Sequence, residues 1–426
     1  MDLLIRDVML PDGTTGHIGI DGNRIVHLGP EPPAAPATRT IDGSDRLALP
    51  GLVNAHTHAA MTLFRGYGDD MPLMPWLQER IWPAEAKLTD EDVYWGTRLA
   101  CAEMIRTGTT LFNDMYWKVP SAVRAIADAG LRATVSGGLI SGGFMGDLKG
   151  EIVELIGMYE AGEFPDRVRL AIAPHAPYTV TPEDLEWCAR VAADHGLPIQ
   201  IHLSETLHEV EECLEKHGAR PAFHLEKCGI LGRPTTLAHG TWLDRSELAM
   251  LAQYPATVVH NPVSNLKLAC GQGREVRGWF DYAGAKAEGV NVALATDGTA
   301  SNTNLDMFEE MKFASLMAKH ASGDPTCMPA AETLAIATRG GADGMGWEET
   351  GRLAEGALAD LVLLDMTELT LTPLHDPASH AVYAATGGCV HTTICDGRVL
   401  MEAGRIEGVE EVRARAIEAA RRVTGG

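Results

Sequence analysis

The chain has 426 residues, of which 45% are hydrophobic and 22% charged, and its formal net charge is −23. This acidic balance argues against nucleic acid or an anionic membrane as a partner, because such partners draw affinity from clustered Lys and Arg. No signal peptide and no apolar run of roughly 18 residues is found, and the eight cysteines form no C-x-x-C pair, so a cytoplasmic protein with reduced thiols and a small-molecule ligand is expected.

The two ends of the chain share a strand-and-turn texture. Residues 1–50 contain short apolar strands separated by the turns Asp12-Gly13 and Asp21-Gly22, and similar segments return from about Arg352, before a charged C-terminal helix. Neither end holds enough apolar residues for a core of its own. Residues 1–50 and 352–426 are therefore predicted to pair into one small β-sandwich domain that carries the C-terminal helix.

Residues 51–351 alternate between short apolar strands and helices, which is the pattern of parallel βαβ units. Helix starts are predicted at Thr89 and Thr181, each followed by acidic residues in the first turn. Eight strands are predicted, the number that closes an α/β fold of the (β/α)₈ TIM-barrel type. Their sequences are LALPGLVN, TTLFND, RATVSG, VRLAIAP, PIQIHLS, TTLAHG, ATVVHN and VNVALATD.

Histidines and one aspartate cluster at the predicted carboxyl ends of these strands, which is where barrel enzymes place their working residues. In the first motif, PGLVNAHTHAAMTLFRG, the two histidines are two residues apart, so an extended backbone points both imidazoles to one face. The residues at these strand ends are His56, His58, His175, His202, His239, His260 and Asp297.

These residue types predict a metal centre, because Zn²⁺ binds imidazole nitrogens and carboxylate oxygens and lowers the pKa of a bound water to about 7. His56, His58, His202 and Asp297 would supply a mononuclear set. VRLAIAPHAP lacks a lysine that could bridge two metals. One Zn²⁺ per chain is therefore expected, with Fe²⁺ as the alternative.

Hydrolysis at such a centre also needs groups that carry protons to the leaving group. Glu205 in HLSE follows a predicted ligand closely enough to share its cavity, the alternative being an ordinary helix-start glutamate. Asp297 could both bind the metal and accept a proton from water. His239 is interpreted as polarising the substrate, with a ligand or core role as alternatives, and His260 as either a site-lining or a structural histidine.

Five ordered motifs, PGLVNAHTHAAMTLFRG, HLSE, LAHG, HNPVSNLKL and ATDGTASN, make the chain resemble the amidohydrolase superfamily. It looks most like methylthioadenosine/S-adenosylhomocysteine deaminases and their triazine-hydrolase relatives. The resemblance implies the same metal set, with Glu205 as proton carrier and His239 against the substrate. It also implies that Glu85 in IWPAEAKL contacts a ribose, and that His175 and Trp76 contact the substrate.

Ser301 is a further candidate contact to the heterocycle, and its alternative role is a helix cap. The expected reaction is hydrolytic deamination of an adenine nucleoside: adenosine, 5′-deoxyadenosine, 5′-methylthioadenosine or S-adenosylhomocysteine. Alternatives are a deaminase or chlorohydrolase of another N-heterocycle, such as a guanine-like base, a pyrimidine or an s-triazine, and more remotely a non-catalytic scaffold. Association into a homo-oligomer is expected from the resemblance.

Two segments depart from the relatives and are expected to reshape the mouth of the pocket. SGGLISGGFMGDLKGE offers Lys149 where some relatives carry arginines, and residues 271–286 form a longer loop than the relatives suggest.

Overall fold

The computed structural model describes residues 1–143, 146–273 and 278–425. The strands, in chain order, are β1 Leu3–Met9, β2 Thr15–Asp21, β3 Arg24–Gly29, β4 Arg39–Asp42, β5 Arg46–Pro50, β6 Leu52–Thr57, β7 Thr109–Tyr116, β8 Arg132–Leu139, β9 Val168–Leu170, β10 Ala173–Pro174, β11 Ile199–Leu203, β12 Thr235–His239, β13 Ala256–His260, β14 Asn291–Leu294, β15 Leu361–Asp365, β16 Val390–Cys395 and β17 Arg398–Glu402.

The helices alternate with the strands of the middle of the chain. They are α1 Leu73–Trp76, α2 Trp82–Glu85, α3 Asp90–Arg106, α4 Val119–Ala129, α5 Leu148–Glu160, α6 Pro182–Asp194, α7 Leu207–His217, α8 Pro221–Lys227, α9 Arg245–Leu251, α10 Pro262–Lys267, α11 Tyr282–Glu288, α12 Met307–Ser322, α13 Ala330–Ala335, α14 Gly341–Gly344, α15 Pro377–Ser379 and α16 Val409–Thr424. A π turn, Leu77–Ile81, joins α1 to α2. Within the described ranges, no helix combines the length and apolar character that crossing a membrane requires.

The middle of the chain forms a curled sheet of parallel strands. Strands β6, β7 and β8 are neighbours, β9 and β10 both pair with β8, and β11 to β14 continue in chain order. Backbone bonds join these groups: the N–H of His202 donates to the carbonyl of His175, and that of Asp297 to the carbonyl of His56, both at 3.1 Å. The predicted TIM-barrel-type α/β fold is confirmed.

Most positions of the barrel strands are buried because helices cover the strands on the outside. Strands β7, β11, β12 and β13 are buried at every position. The two predicted helix starts are confirmed: Thr89 caps α3 through a capping box with Asp92, and Thr181 caps α6 by accepting the N–H of Asp184.

A second sheet takes strands from both ends of the chain. It has eight strands in the order β17-β16-β15-β5-β1-β2-β3, with β4 paired to β1. The two ends meet where β5 runs antiparallel to β15, with Leu47 opposite Leu364 and Pro50 opposite Leu361. All these strands lie within the predicted end segments, while the sandwich packing of this sheet and the exact domain boundaries stay predictions.

Three details differ from the predicted elements. LALPGLVN is not one strand, because Gly51 separates β5 of the outer sheet from β6 of the barrel. A side chain at Gly51 would place its Cβ 2.0 Å from Oγ1 of Thr110, so only glycine fits this junction. The fourth barrel strand is interrupted between β9 and β10. Strand β4 directly follows the proline-rich segment PEPPAAPAT.

A buried ion pair joins the barrel to the outer sheet. The guanidinium of Arg132, at the start of β8, donates from Nε and Nη2 to the two carboxylate oxygens of Asp360, at 2.8 and 3.2 Å. The side chain of Asp360 is fully buried, and it also accepts a bond from the Thr350 hydroxyl at 2.7 Å. The pair is therefore bidentate and further hydrogen-bonded, as a buried charge pair requires.

Candidate active site

The predicted metal ligands converge at the carboxyl ends of the barrel strands. Nε2 of His58 lies 3.2 Å from Oδ1 of Asp297 and 3.4 Å from Nε2 of His202, and Nε2 of His56 lies 3.7 Å from the same carboxylate oxygen. Two groups of three residues could each bind a metal, because the ligand atoms within each group lie within 4.8 Å of one another. The first group is His56, His58 and Asp297, and the second is His56, His202 and His239. The side chains thus surround one point.

Neighbouring groups fix the orientation of these side chains. Nδ1 of His58 donates to the carbonyl of Met115 at 2.7 Å, and Nδ1 of His202 to the carbonyl of His175. This leaves both Nε2 atoms free to face the common point. Oδ2 of Asp297 accepts bonds from the Ser264 and Ser301 hydroxyls at 2.7 and 3.0 Å.

The protonation states of His56, His202 and Asp297 suit a divalent cation, whereas His58 must lose a proton before it can bind one. Burial holds the pKa of His56 and of His202 well below the usual histidine range, so both imidazoles are neutral, as metal ligands must be. Burial opposes ionisation of Asp297, but its hydrogen bond and charge interaction with His58 outweigh burial and hold its pKa well below the usual range. Conversely, Asp297 overcomes the effect of burial on His58 and raises the pKa of that imidazole to about 9.

A buried nitrogen also lacks a protein partner at this point. Nε2 of His56 is fully buried and has no hydrogen-bond partner among the described residues. An unpaired buried polar atom costs free energy, and a metal ion would satisfy it. The donor set of imidazoles and one carboxylate therefore fits a divalent metal.

Three residues of the site adopt left-handed backbone conformations, although none is glycine. Their φ angles are +50° for Ser204, +77° for His239 and +63° for Asp297. Such conformations cost of order 1–3 kcal/mol each and persist where surrounding contacts impose them. Ser204 directly follows β11, His239 ends β12 and Asp297 lies three residues after β14, and all three turn their side chains in ways that relaxed strands would not.

Glu205 and His239 lie together beside the histidine cluster. Both are buried, and Oε2 of Glu205 lies 3.7 Å from Nε2 of His239. Nδ1 of His239 donates to Oδ1 of Asn265 at 2.8 Å, while Oε1 of Glu205 accepts a bond from the Cys270 thiol at 3.4 Å. Burial raises the pKa of Glu205. Helix α7 begins later, at Leu207, with Thr206 as its cap, so Glu205 is not a helix-start residue.

Glu205, His239 and the metal-facing groups His58, His202 and Asp297 line one cavity, whose empty volume, including the open space at its mouth, is about 650 Å³. Besides the metal-facing groups, its lining includes the predicted substrate contacts Trp76, Glu85, His175 and Ser301. Glu85 is buried rather than solvated, and burial raises the pKa of its carboxyl to about 7. The cavity thus brings together the residues predicted for substrate and for catalysis.

Two further predicted residues are clarified by their surroundings. The Ser301 hydroxyl bonds to Asp297, whereas Asp306 caps α12, so the alternative role of Ser301 as a helix cap is wrong. His260 is buried against Phe280, with ring centroids 5.0 Å apart, and is not among the described residues that line the cavity. This favours the structural alternative for His260.

The two unusual loops are described in part. Lys149 is occupied in an ion pair with Asp184. Residues 144–145 and 274–277 lie outside the described residues, so the expected effect of these loops on the pocket mouth stays a prediction.

Comparison with known proteins decides the family. The profile described as "Amidohydrolase family" matches residues 47–400. The chain belongs to the amidohydrolase family. It is 49% identical to a 5′-deoxyadenosine deaminase of Methanoregula boonei, over 90% of this chain and 86% of the relative, and 44% identical to a 5-methylthioadenosine/S-adenosylhomocysteine deaminase of Syntrophobacter fumaroxidans, over 99% and 98%.

Solved structures agree with this membership. The amidohydrolase described here superimposes on a zinc-bound adenosine deaminase from Xanthomonas campestris with a TM-score of 0.93 and 34% identity, over 100% of this chain and 99% of that one. The atrazine chlorohydrolase TrzN of Arthrobacter aurescens gives a TM-score of 0.88 at 24% identity, over 98% and 100%, and shares the fold. The resemblance stated from the motifs is confirmed, and it supports a hydrolytic enzyme with a metal cofactor.

Several residues of this amidohydrolase site were missed by the sequence reasoning. The Tyr116 hydroxyl and Nε1 of Trp117 are buried beside Glu85, and both residues line the cavity. Both groups face the Glu85 carboxyl as hydrogen-bond donors, and this lowers the pKa of that carboxyl against the larger opposing effect of burial. Their positions directly after the predicted strand TTLFND were the available signal. Ser264 and Asn265, which hold Asp297 and His239, lie within the quoted motif HNPVSNLKL and could have been found there.

Proposed function

We propose that the chain is a zinc-dependent aminohydrolase that removes the amino group of an adenine nucleoside and releases ammonia. The observation that carries this proposal is one cavity whose lining includes His58, His202, Glu205, His239 and Asp297 on one side and Glu85, Tyr116 and Trp117 on another. The names of the relatives, two classes of nucleoside deaminase, point in the same direction.

One Zn²⁺ per chain is proposed at the point that His56, His58, His202 and Asp297 surround, with Fe²⁺ as the alternative. When bound, such a metal lowers the pKa of a coordinated water to about 7 and so supplies a nucleophile at neutral pH. The four groups would hold the ion through three imidazoles and an ionised carboxylate, and His58, whose pKa is raised to about 9, would give up its proton when the ion binds. Ser264 and Ser301 keep the carboxylate in place.

The chain's own residues then move the protons. Glu205 gives a proton to the ring nitrogen next to the carbon that carries the amine, and later carries a second proton to the departing amine. Asp297 accepts the proton that the attacking water loses, and His239 donates a hydrogen bond to the new oxygen. A carbon–oxygen bond forms and the carbon–nitrogen bond breaks. That second proton comes from the hydroxyl group of the adduct, and the amine then leaves as ammonia. Asp297 finally returns the first water proton to Glu205, so both carboxyl groups end in their starting states, and the ring nitrogen keeps the proton that Glu205 first gave.

Recognition of the ribose is assigned to the lining around Glu85. Its carboxylate accepts hydrogen bonds from the sugar hydroxyls, and Tyr116 and Trp117, which face the same carboxylate as donors, hold it in place. A nucleoside would thus satisfy buried polar atoms that a free base would leave unpaired, which is how a polar pocket discriminates most strongly. Trp76 and His175 are proposed as further contacts to the substrate.

An ammonia-release screen tests the proposal. The protein is stripped of metal, reloaded with Zn²⁺ or Fe²⁺, and offered adenosine, 5′-deoxyadenosine, 5′-methylthioadenosine, S-adenosylhomocysteine, adenine, guanine, cytosine and an amino-s-triazine. The expected result is metal-dependent release from the nucleosides and little from the free bases. Turnover of free bases or triazines alone would replace the substrate assignment, and no turnover of any compound by metal-loaded protein would favour the scaffold alternative.

A further inference from the structure

Glu209 is a buried carboxylate to which the proposed reaction gives no role. It lies in the first turn of α7, is 2% exposed, and accepts two backbone hydrogen bonds. The N–H of Ser204 donates to its Oε1 at 2.7 Å and the N–H of Glu205 to its Oε2 at 2.8 Å. In an ordinary capping box such a glutamate reaches the N–H of the cap residue, here Thr206. Glu209 instead reaches past the cap.

The segment that Glu209 holds connects the metal site to the proton carrier. It begins at the end of β11, directly after His202, and includes the left-handed Ser204 with φ +50°. From the other side, the N–H of Gly240 donates to the carbonyl of Leu203 at 3.0 Å and that of Trp242 to the carbonyl of Ser204 at 2.9 Å. The turn is therefore fixed by hydrogen bonds on both sides, and the carboxyl group of Glu209 accepts those on the side of α7.

The surroundings of Glu209 make the burial of its carboxyl group unfavourable in free energy. No ion pair involving Glu209 is found among the described residues, and burial raises the pKa of its carboxyl to about 7. Two backbone N–H donors and the positive end of helix α7 compensate the buried group. An apolar side chain would fill the same space without the free-energy cost of burying a carboxylate. We therefore expect the carboxylate of Glu209 to have a role beyond packing.

We infer that Glu209 is a positioning residue: by fixing the peptide of Glu205, it aims the Glu205 carboxylate into the cavity. This inference rests on the proposed function, in which Glu205 carries protons. The far end of Glu205 is held more loosely, by the Cys270 thiol at 3.4 Å, so the backbone bonds to Glu209 dominate its placement. Small displacements of a proton carrier are costly, because proton transfer requires hydrogen-bond distance to the substrate.

The substitution Glu209→Gln tests the inference. The amide keeps the volume but replaces one acceptor oxygen by an NH₂ group, which faces a backbone N–H donor. We expect kcat to fall by roughly 10–100-fold, as for other residues that orient catalytic groups. KM and metal content should stay close to those of the wild type, because the cavity lining and the ligands are unchanged.

Glu247→Gln is the matched control. Glu247 is also buried in the first turn of a helix, α9, where its carboxylate accepts the N–H groups of Asp244 and Ala222, each at 3.1 Å. Unlike Glu209, it also forms an ion pair with Arg220 at 2.8 Å, so its substitution should cost more stability than that of Glu209. It lies outside the cavity lining. The same chemical change should lower thermal stability there and leave kcat unchanged, which separates a general loss of stability from mispositioning of Glu205.

A double-mutant cycle makes the distinction sharper. If Glu209 acts through Glu205, then Glu205→Gln combined with Glu209→Gln should be no slower than Glu205→Gln alone. Losses in kcat that multiply, or an unchanged kcat in Glu209→Gln, would overturn the inference.

Amide hydrogen exchange gives a readout that does not depend on activity. Exchange at the N–H groups of Ser204 and Glu205 should accelerate in Glu209→Gln and not in Glu247→Gln. If the wild type releases no ammonia from nucleosides, the proposed function fails, and the exchange rates alone decide whether Glu209 fixes this turn. Unchanged exchange at both positions would overturn the inference in either case.

Discussion

Replacing Glu205 by glutamine removes the proposed proton carrier while it keeps the shape of the side chain. The carboxylate is buried, and it contacts the Cys270 thiol at 3.4 Å and Nε2 of His239 at 3.7 Å. The amide can still accept a bond from the thiol. The loss of folding stability should therefore be limited to about 1 kcal/mol, the value of one ordinary hydrogen bond.

The expected loss in rate is much larger. A positioned general acid–base group contributes roughly 10²–10⁴-fold to a rate. At 1.36 kcal/mol for each factor of ten, this range corresponds to about 2.7–5.4 kcal/mol of transition-state stabilisation. The effect on kcat should thus clearly exceed the effect on stability, and metal binding should be preserved because the four proposed ligands are untouched.

The assay combines three measurements on Glu205→Gln: ammonia release from a saturating nucleoside, metal content by elemental analysis, and thermal unfolding. Glu212→Gln, on the helix α7 that follows Glu205 and in an ion pair with Lys216, is the control and should behave as the wild type does. A near-normal kcat with full metal content would refute the role of Glu205 as proton carrier. Loss of the metal would instead mean that Glu205 helps to bind it.

Three further outcomes are expected. Burial raises the pKa of Glu85 to about 7, so its carboxylate forms as the pH rises through 7. The KM for nucleosides should therefore fall over that pH interval, and a Glu85→Gln variant should lose this pH dependence of KM. Ser264→Ala removes the 2.7 Å bond to Asp297, so chelator competition should show a metal affinity lower by roughly 10–100-fold; an unchanged affinity would contradict this orienting role. Asp360→Asn breaks the buried pair with Arg132 and should lower the free energy of unfolding in urea by about 3–5 kcal/mol, and a smaller loss would show that other acceptors compensate.

The sequence was most informative where a strand ends. Parallel strands bring their carboxyl ends to one edge, so the strand ends alone were enough to predict that His56, His58, His202, His239 and Asp297 meet. The resemblance added Glu85, which spacing could not assign because a glutamate in a short helix looks solvated.

Other features could not be read from the pattern. An apolar run does not reveal where one strand passes into another, so the break at Gly51 was missed. Tyr116 and Trp117 were missed because an aromatic residue at the end of an apolar strand usually belongs to the core, and nothing local shows that its polar atom faces a buried carboxyl. Glu209 was not singled out, because its reach to Ser204 depends on the left-handed turn there.

The glycine junction between the outer sheet and the barrel has a consequence for engineering. The strand that carries the first histidine pair starts from a fixed anchorage, because the N–H of Gly51 donates to the carbonyl of Asp360 at 3.0 Å. Adding or deleting one residue between Gly51 and His56 would exchange the inward and outward faces of that strand. A barrel transplanted into another scaffold would therefore have to keep the terminal strands and the bond between Gly51 and Asp360, since these determine the orientation of the His56 and His58 imidazoles.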